Sequence, residues 1–128
     1  MTHPVVELAE PLRQEILEHC LSALPNEGCG MLAIDGDRVV QVYPTRNQEA
    51  SPIAYTIPPQ DHYDALMDAE SSGCELAGVF HSHPTGPAAM SATDLVRVTD
   101  PAWLYVVVAL GAGQPVWCGW RAGAEVRI

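Results

Sequence analysis

The clearest hydrophobic periodicity in the chain lies between Pro11 and Pro25. Its apolar positions are Leu12, Ile16, Cys20, Leu21 and Leu24. Spacings of three and four residues place these side chains on one face of a helix. Proline is tolerated in the first turn of a helix and interrupts one further along, so the two prolines mark the start and the end. Residues 5–8, which precede this helix, predict a short strand.

Two apolar runs that follow, residues 29–34 and 38–43, predict a pair of strands. They are separated by Asp35-Gly36-Asp37. An Asp-Gly pair adopts the backbone conformations of a tight hairpin turn at low cost. The sequence therefore predicts an antiparallel β-hairpin here.

A long proline-rich connection spans residues 44–60. Prolines disfavour a regular element, although residues 54–57 read as an extended segment that we expect to line a site. Helical spacing returns at residues 61–72, which predict a second helix ending at Gly73.

The remaining chain is predicted to add one short helix and four strands. The strands are residues 75–83, 103–110, 116–120 and 126–128, and the helix is residues 91–99. Helices interleaved with strands predict an α/β fold, with a single mixed, largely antiparallel β-sheet flanked by about three helices. A length of 128 residues suits one domain, residues 1–128.

Amino-acid composition and net charge exclude several classes of function. Apolar residues make up 48% of the chain, enough for a packed core, and the formal net charge is -10. Such a charge repels phosphate backbones and anionic lipids, so we expect neither nucleic acid nor membrane as a partner. All six basic residues are arginine, which excludes phosphate-loop and Schiff-base lysine chemistry.

The cysteines and the N-terminus indicate a compartment. Cys20, Cys29, Cys74 and Cys118 are scattered, with no Cys-x-x-Cys pair typical of a zinc knuckle or redox site. We interpret them as reduced thiols, although a disulfide stays open. The chain shows no leader-like pattern and no apolar run of membrane-spanning length, which predicts a cytoplasmic protein.

Candidate chemistry is concentrated at His81, His83 and Asp94. Side chains alternate along a strand, so the two imidazoles project from the same face and can reach one ion. Seven residues separate His83 from Ser91, enough for the chain to turn back and bring Asp94 opposite the histidines. Two nitrogens and one carboxylate oxygen would hold Zn²⁺ with a fourth position open, which is typical of a catalytic site.

Each half of this pattern also has a purely structural explanation. Two histidines on a strand can be core residues, and Ser91-Ala92-Thr93-Asp94 resembles a helix capping box. The order and spacing of the two halves together favour a metal site. A capping role is also compatible with catalysis, because a helix N-terminus favours nearby negative charge.

The complete pattern resembles the signature of the JAMM (MPN+) zinc metalloprotease family. The matching residues are His81, His83, Pro84, Ser91 and Asp94 at the same spacing. Residues 25–32, Pro-Asn-Glu-Gly-Cys-Gly-Met-Leu, are similar to the upstream Pro-x-Glu-x-Cys-Gly segment of the family. One departure is Met90, where many members have proline.

The resemblance implies site roles. His81, His83 and Asp94 would bind one catalytic Zn²⁺, Glu27 would act as general acid and base, and Ser91 would donate to the oxyanion. It also implies a cytidine-deaminase-like MPN architecture of the compact prokaryotic type.

The implied reaction is hydrolysis of a peptide or isopeptide bond after the Gly-Gly tail of a ubiquitin-like or sulfur-carrier protein. We expect the extended tail to bind by strand addition beside the histidine strand. Two alternatives stay open: release of a small amino acid such as cysteine from a carrier C-terminus, and a catalytically silent MPN-type scaffold.

Overall fold

A computed structural model describes residues 4–128. Its elements are α1 (Glu10–Ala23), β1 (Cys29–Asp35), β2 (Arg38–Thr45), α2 (Pro59–Ser71), β3 (Glu75–His83), α3 (Ala92–Val96), β4 (Leu104–Ala109), β5 (Val116–Arg121) and β6 (Ala124–Val126). The strands form one sheet in the order β2-β1-β3-β4-β5-β6. Only β3 and β4 are parallel; the other neighbours are antiparallel. The predicted mixed, largely antiparallel sheet with three helices is therefore confirmed.

The predicted first strand, residues 5–8, is wrong as a regular strand. Val5 bridges Arg127 beyond β6, whereas Glu7 bridges Arg38 at the start of β2. Because β2 and β6 are the outer strands of the sheet, this short segment connects its two edges at one end. A single bridge to each partner is too little for a ladder, so the segment links the two edges of the sheet instead of extending it.

Other predicted boundaries are shifted by one to three residues; β2 runs on to Thr45 and α2 begins at Pro59. The third helix ends after Val96, and the last strand is Ala124–Val126 instead of residues 126–128. Gly123 has a φ of 78°, so it makes the tight turn that lets β6 pair with β5 directly after Arg121. Within residues 4–128 no helix is long and apolar enough to cross a bilayer.

The sheet separates two apolar clusters. The α1-side core comprises Val6, Leu8, Ile16, Cys20, Leu32, Ile34, Val39, Val42, Phe80, Leu104, Val106, Val108 and Val126. The α2-side cluster comprises Met31, Ala33, Ala65, Ala69, Leu76, Val79 and Tyr105. Alternation along β3 assigns Phe80 to the first cluster and Val79 to the second, and His81 and His83 follow Val79 onto its face.

Strand β3 lies inside the sheet. Its residue His81 pairs with Cys29 of β1 on one side and with Val107 of β4 on the other. Past the end of the β1 ladder, the Ser82 N–H still donates to the Gly28 carbonyl oxygen. The expectation that a substrate tail adds beside the histidine strand is wrong, because both of its hydrogen-bonding edges are occupied.

Candidate metal centre and active site

The two histidines of β3 and Asp94 converge at the end of that strand. The Nε2 atoms of His81 and His83 are 3.1 Å apart, and they lie 3.0 and 3.1 Å from Asp94 Oδ2. All three residues are buried. These are the residues among 4–128 whose ligand atoms cluster closely enough to hold a metal ion.

The N-terminus of α3 positions Asp94. Ser91 is the N-cap: its Oγ accepts from the Asp94 N–H at 3.0 Å, and Asp94 Oδ2 accepts from the Ser91 N–H at 2.9 Å. This reciprocal pair is a capping box, with aspartate in place of the usual glutamate. The capping interpretation of the sequence is thus correct, and the same contacts aim Oδ2 at the imidazoles.

The donor set suits a tetrahedral metal ion. Ligand atoms about 2.0–2.1 Å from a tetrahedral Zn²⁺ lie about 3.3 Å from one another, close to the three separations found here. His83 Nδ1 lies 2.9 Å from the Pro87 carbonyl oxygen, to which it donates. That bond leaves Nε2 facing the shared point, where it carries the lone pair whenever the ring is neutral.

Burial and the contacts among His81, His83 and Asp94 shift the pKa of each side chain. Although burial opposes it, hydrogen bonds from His81 and His83 hold the pKa of Asp94 well below its usual value. The bond to Asp94 raises the pKa of His83, whereas burial lowers the pKa of His81. A divalent cation held by all three side chains requires an ionised carboxylate and two neutral imidazoles, so its binding would release any proton that His83 holds.

Glu27 lies next to this centre, between α1 and β1, and is only 2% exposed. Burial raises its pKa to about 7, and the nearby Asp94 contributes to the rise while His83 opposes it. Among residues 4–128 its Oε1 has no hydrogen-bond partner. Such a carboxyl group can exchange a proton near neutral pH.

A cleft of about 190 Å³ joins these groups. Its lining comprises Glu27, Pro52, Ile53, His83, Thr85, Pro87, Ala89, Met90 and Ser91. We call this the active-site cleft. All five residues predicted from the sequence therefore lie at one place, with three at the metal centre and Glu27 and Ser91 on the cleft wall.

The residues between β2 and α2, 46–58, form a strap over the site. The Glu27 N–H donates to the Ser51 carbonyl oxygen at 2.8 Å, and Asn47 Nδ2 donates to the Glu27 carbonyl oxygen at 3.1 Å. The Tyr55 ring stacks on His81. The extended pattern of residues 54–57 indicated that this stretch lines a site, but nothing local identified Asn47 or Tyr55.

Cys29, two residues after Glu27, carries a thiol, which is a nucleophile when it is ionised. Its thiol contacts the Arg46 carbonyl oxygen and Thr45 Oγ1, and burial raises its pKa to about 11. A thiol in this state is a poor nucleophile at neutral pH. The prediction of a packed cysteine agrees with this environment.

Three proteins have sequences that are similar to most of this chain. A desampylase of Haloferax volcanii is 35% identical over 114 residues, covering 84% of this chain and 82% of that protein. A probable TtuB-protein conjugate cleaving protease of Thermus thermophilus is 38% identical over 109 residues, covering 84% and 70%. A CysO-cysteine peptidase of Mycobacterium tuberculosis is 28% identical over 107 residues, covering 82% and 73%.

Solved structures share the fold. A Desulfitobacterium hafniense protein superimposes with a TM-score of 0.85 at 34% identity, covering 97% of this chain and 91% of that one. A structure described as a JAMM metalloprotease-like zinc site gives 0.61 at 19% identity, covering 97% and 95%, a likeness of fold alone. Residues 9–122 match the family described as prokaryotic homologs of the JAB domain. The chain therefore belongs to this compact prokaryotic branch of the JAMM/MPN family.

Proposed function

We propose that the protein is a zinc-dependent JAMM-type peptidase or isopeptidase that hydrolyses the amide bond after the C-terminal tail of a ubiquitin-like or sulfur-carrier protein. The observation that carries the proposal is the convergence of His81 Nε2, His83 Nε2 and Asp94 Oδ2 beside the buried Glu27. The names of the Haloferax and Thermus relatives support the substrate class. A single domain over residues 1–128 and a cytoplasmic location belong to the same proposal.

His81, His83 and Asp94 would hold one Zn²⁺ ion. When bound, Zn²⁺ supplies a Lewis acid that polarises a carbonyl group and makes water a stronger acid. The two histidines and the aspartate would each contribute one donor atom to the ion, and their burial would limit its contact with bulk water. Their fit rests on donor type and on separations of 3.0–3.1 Å.

Glu27 would move the proton. In its ionised form Oε1 accepts a proton from the attacking water, and the same carboxyl group then donates it to the leaving nitrogen. The absence of a hydrogen-bond partner for Oε1 among residues 4–128 leaves this atom available. Both steps fit a group whose pKa burial raises to about 7.

Ser91 would stabilise the oxygen that becomes negative. Its Oγ accepts from the Asp94 N–H, so the hydroxyl hydrogen is available to donate to a substrate carbonyl oxygen. Since the capping bond fixes Oγ, this donor is in place before the substrate binds. Such preorganised donors are worth about 10²–10³-fold in rate.

The substrate tail would enter the active-site cleft. Its volume of about 190 Å³ admits small side chains, so a Gly-Gly terminus suits it better than a bulky one. Ile53, on the strap side of the cleft, is 76% exposed and would contact the residues of the tail before the glycines. The tail would thus lie between the strap and residues 84–91 instead of beside β3.

Release of cysteine from a carrier C-terminus is a second candidate, favoured by the Mycobacterium relative. It uses the same groups and differs only in the leaving amine. Comparing kcat/KM for a carrier-cysteine adduct with that for a lysine isopeptide separates the two. A scaffold role is disfavoured, since a scaffold has no need of a buried metal-binding group beside a buried acid.

The decisive experiment measures metal content and hydrolysis of a Gly-Gly-tailed carrier fusion for wild type, Glu27→Gln and Glu75→Gln. We expect one bound zinc and cleavage for wild type. Glu27→Gln should keep the zinc and lose about 10²–10⁴-fold in rate, because general acid–base catalysis is worth that much. Glu75 is exposed at the far end of β3, so Glu75→Gln should match wild type.

The outcomes separate the parts of the proposal. Purified wild type without a stoichiometric transition metal would overturn the metalloprotease assignment. Full activity of Glu27→Gln would show that another group moves the proton. Turnover of a cysteine adduct alone would transfer the assignment to the second candidate.

A further inference from the structure

The imidazoles of His81 and His83 are held in place by different contacts. His83 Nδ1 donates to the Pro87 carbonyl oxygen, the usual way in which the second nitrogen of a metal-binding histidine is fixed. His81 Nδ1 is buried and has no hydrogen-bond partner among residues 4–128. When Nε2 binds a metal, the ring proton sits on this Nδ1. No hydrogen bond from Nδ1 to residues 4–128 therefore helps to fix the ring of His81.

The ring of Tyr55 packs against the face of the His81 imidazole. The two ring centroids are 4.6 Å apart and the planes are inclined by 26°, which is a stacked arrangement. Stacking of this kind restricts tilting of the imidazole about its χ2 angle, because a tilted ring would clash with the tyrosine face, and the contact of Nε2 with Asp94 selects between the two flipped orientations. The contact uses the ring face, so the phenolic hydroxyl is not required for it.

Tyr55 is itself held in place from both sides. Arg97 Nη1 donates to the Tyr55 carbonyl oxygen at 2.9 Å, and Asn47 Nδ2 donates to the Ala54 carbonyl oxygen at 3.0 Å. Asn47 Oδ1 accepts from the Thr56 N–H at 3.1 Å. Arg97 follows α3 directly, and its N–H donates to the Asp94 carbonyl oxygen at 3.2 Å. The strap is thus tied to the same short helix that carries the third metal ligand.

We propose that Tyr55 is a positioning residue of the metal centre, whose ring holds the His81 imidazole so that Nε2 faces His83 and Asp94. The inference rests on the proposed function, because the orientation of His81 matters only when the centre binds metal. It adds that the strap is part of the metal-binding apparatus as well as a wall of the active-site cleft.

A competing explanation is that Tyr55 only fills space. It lines a pocket of about 470 Å³ whose apolar wall also includes Met31, Ile57, Val79, Trp103 and Tyr105. Tyr105 provides a matched control, since it lines the same cavity, is 5% exposed and stacks edge-on against Trp120, away from the histidines. Loss of either ring enlarges the cavity, but only loss of Tyr55 frees His81.

The test compares wild type, Tyr55→Phe, Tyr55→Leu and Tyr105→Leu. Zn²⁺ affinity is measured by chelator competition, and the visible spectrum of the Co²⁺-loaded protein reports the ligand geometry. Tyr55→Phe should bind Zn²⁺ within about twofold of wild type. Tyr55→Leu should bind about 10–100-fold more weakly with an altered Co²⁺ spectrum, as expected when support of a ligand is lost. Tyr105→Leu should lose thermal stability but keep the affinity and the spectrum.

The results distinguish the inference from the function on which it rests. If wild type binds no metal, both are overturned. If wild type binds Zn²⁺ and Tyr55→Leu matches it in affinity and spectrum, only the positioning role is overturned. Equal weakening in Tyr105→Leu would also overturn it, in favour of cavity filling. Should Tyr55→Leu fail to fold, Tyr55→Met keeps the apolar volume without a flat ring and has the same expected outcome.

Discussion

The α1-side core and the metal centre draw on adjacent residues of one strand but are stabilised in opposite ways. Phe80 and His81 are neighbours in β3, and both are 0% exposed. Phe80 lies among aliphatic side chains of the α1-side core. His81 lies among imidazole and carboxylate groups. Within residues 4–128, the buried side-chain nitrogen and oxygen atoms without a hydrogen-bond partner are His81 Nδ1 and Glu27 Oε1, both at the centre.

The comparison shows that the unfavourable burial of polar atoms without partners is found at the metal centre among residues 4–128. A buried polar atom without a partner costs about 1–3 kcal/mol, so stability alone would remove it. Both such atoms belong to, or lie beside, one group of candidate metal ligands. The α1-side core therefore serves stability, and the centre gives up stability for binding and chemistry.

The largest test of this division removes a metal ligand. His83→Ala should reduce hydrolysis of a tail fusion on the order of 10⁴-fold, because Lewis-acid catalysis contributes several kcal/mol and each 1.36 kcal/mol is tenfold in rate. The free energy of unfolding of the metal-free protein should change by less than about 3 kcal/mol, because His83 makes two hydrogen bonds, to Asp94 and Pro87, worth about 0.5–1.5 kcal/mol each. Kinetics and denaturant titration of the same preparation measure both. A variant that keeps its zinc and half of its rate contradicts the ligand assignment.

The converse test is Phe80→Ala on the other face. It should lower the free energy of unfolding by about 3–5 kcal/mol, because it removes buried area and leaves a cavity in a dense core. Zn²⁺ affinity of the folded protein should stay within about threefold of wild type. Ile16→Val, which removes one methylene from the same core, should cost only about 0.5–1.5 kcal/mol. A loss of zinc affinity well beyond threefold in the folded protein would show that the two faces of the sheet are coupled.

Sequence reasoning predicted the parts of the site that depend on local periodicity. Alternation along β3 put His81 and His83 on one face, and the capping pattern placed Asp94 at a helix start, since both are set by residues a few positions apart. The strand order and the contact between Tyr55 and His81 join residues far apart in the chain, and no local pattern encodes them. For that reason the interior position of β3 and the contact of Tyr55 with His81 were not predicted, although residues 54–57 were expected to line a site.

The last expected effect depends on pH and concerns the charge of Glu27 in the metal-free protein. Burial raises the pKa of Glu27 from 4.5 to about 7, so the folded state binds the proton more tightly than the unfolded state. The stabilising contribution of the protonated acid is complete below pH 4.5, falls as the pH rises to about 7 and is absent above that. Glu27→Gln mimics the neutral acid at every pH. Above pH 7 it should therefore be more stable than wild type, by up to about 3 kcal/mol, and the gain should vanish below pH 4.5.

Denaturant titrations of metal-free protein at pH 4 and pH 8 measure this gain, with Glu15→Gln on the exposed side of α1 as the control that removes a charge from solvent. A pH-independent gain would mean that the amide improves packing and that the buried charge costs nothing. Adding Zn²⁺ sharpens the comparison, because a nearby cation favours the ionised carboxyl group and lowers its pKa. The advantage of Glu27→Gln at pH 8 should then shrink, since the ion supplies the interaction that the folded chain leaves unmade.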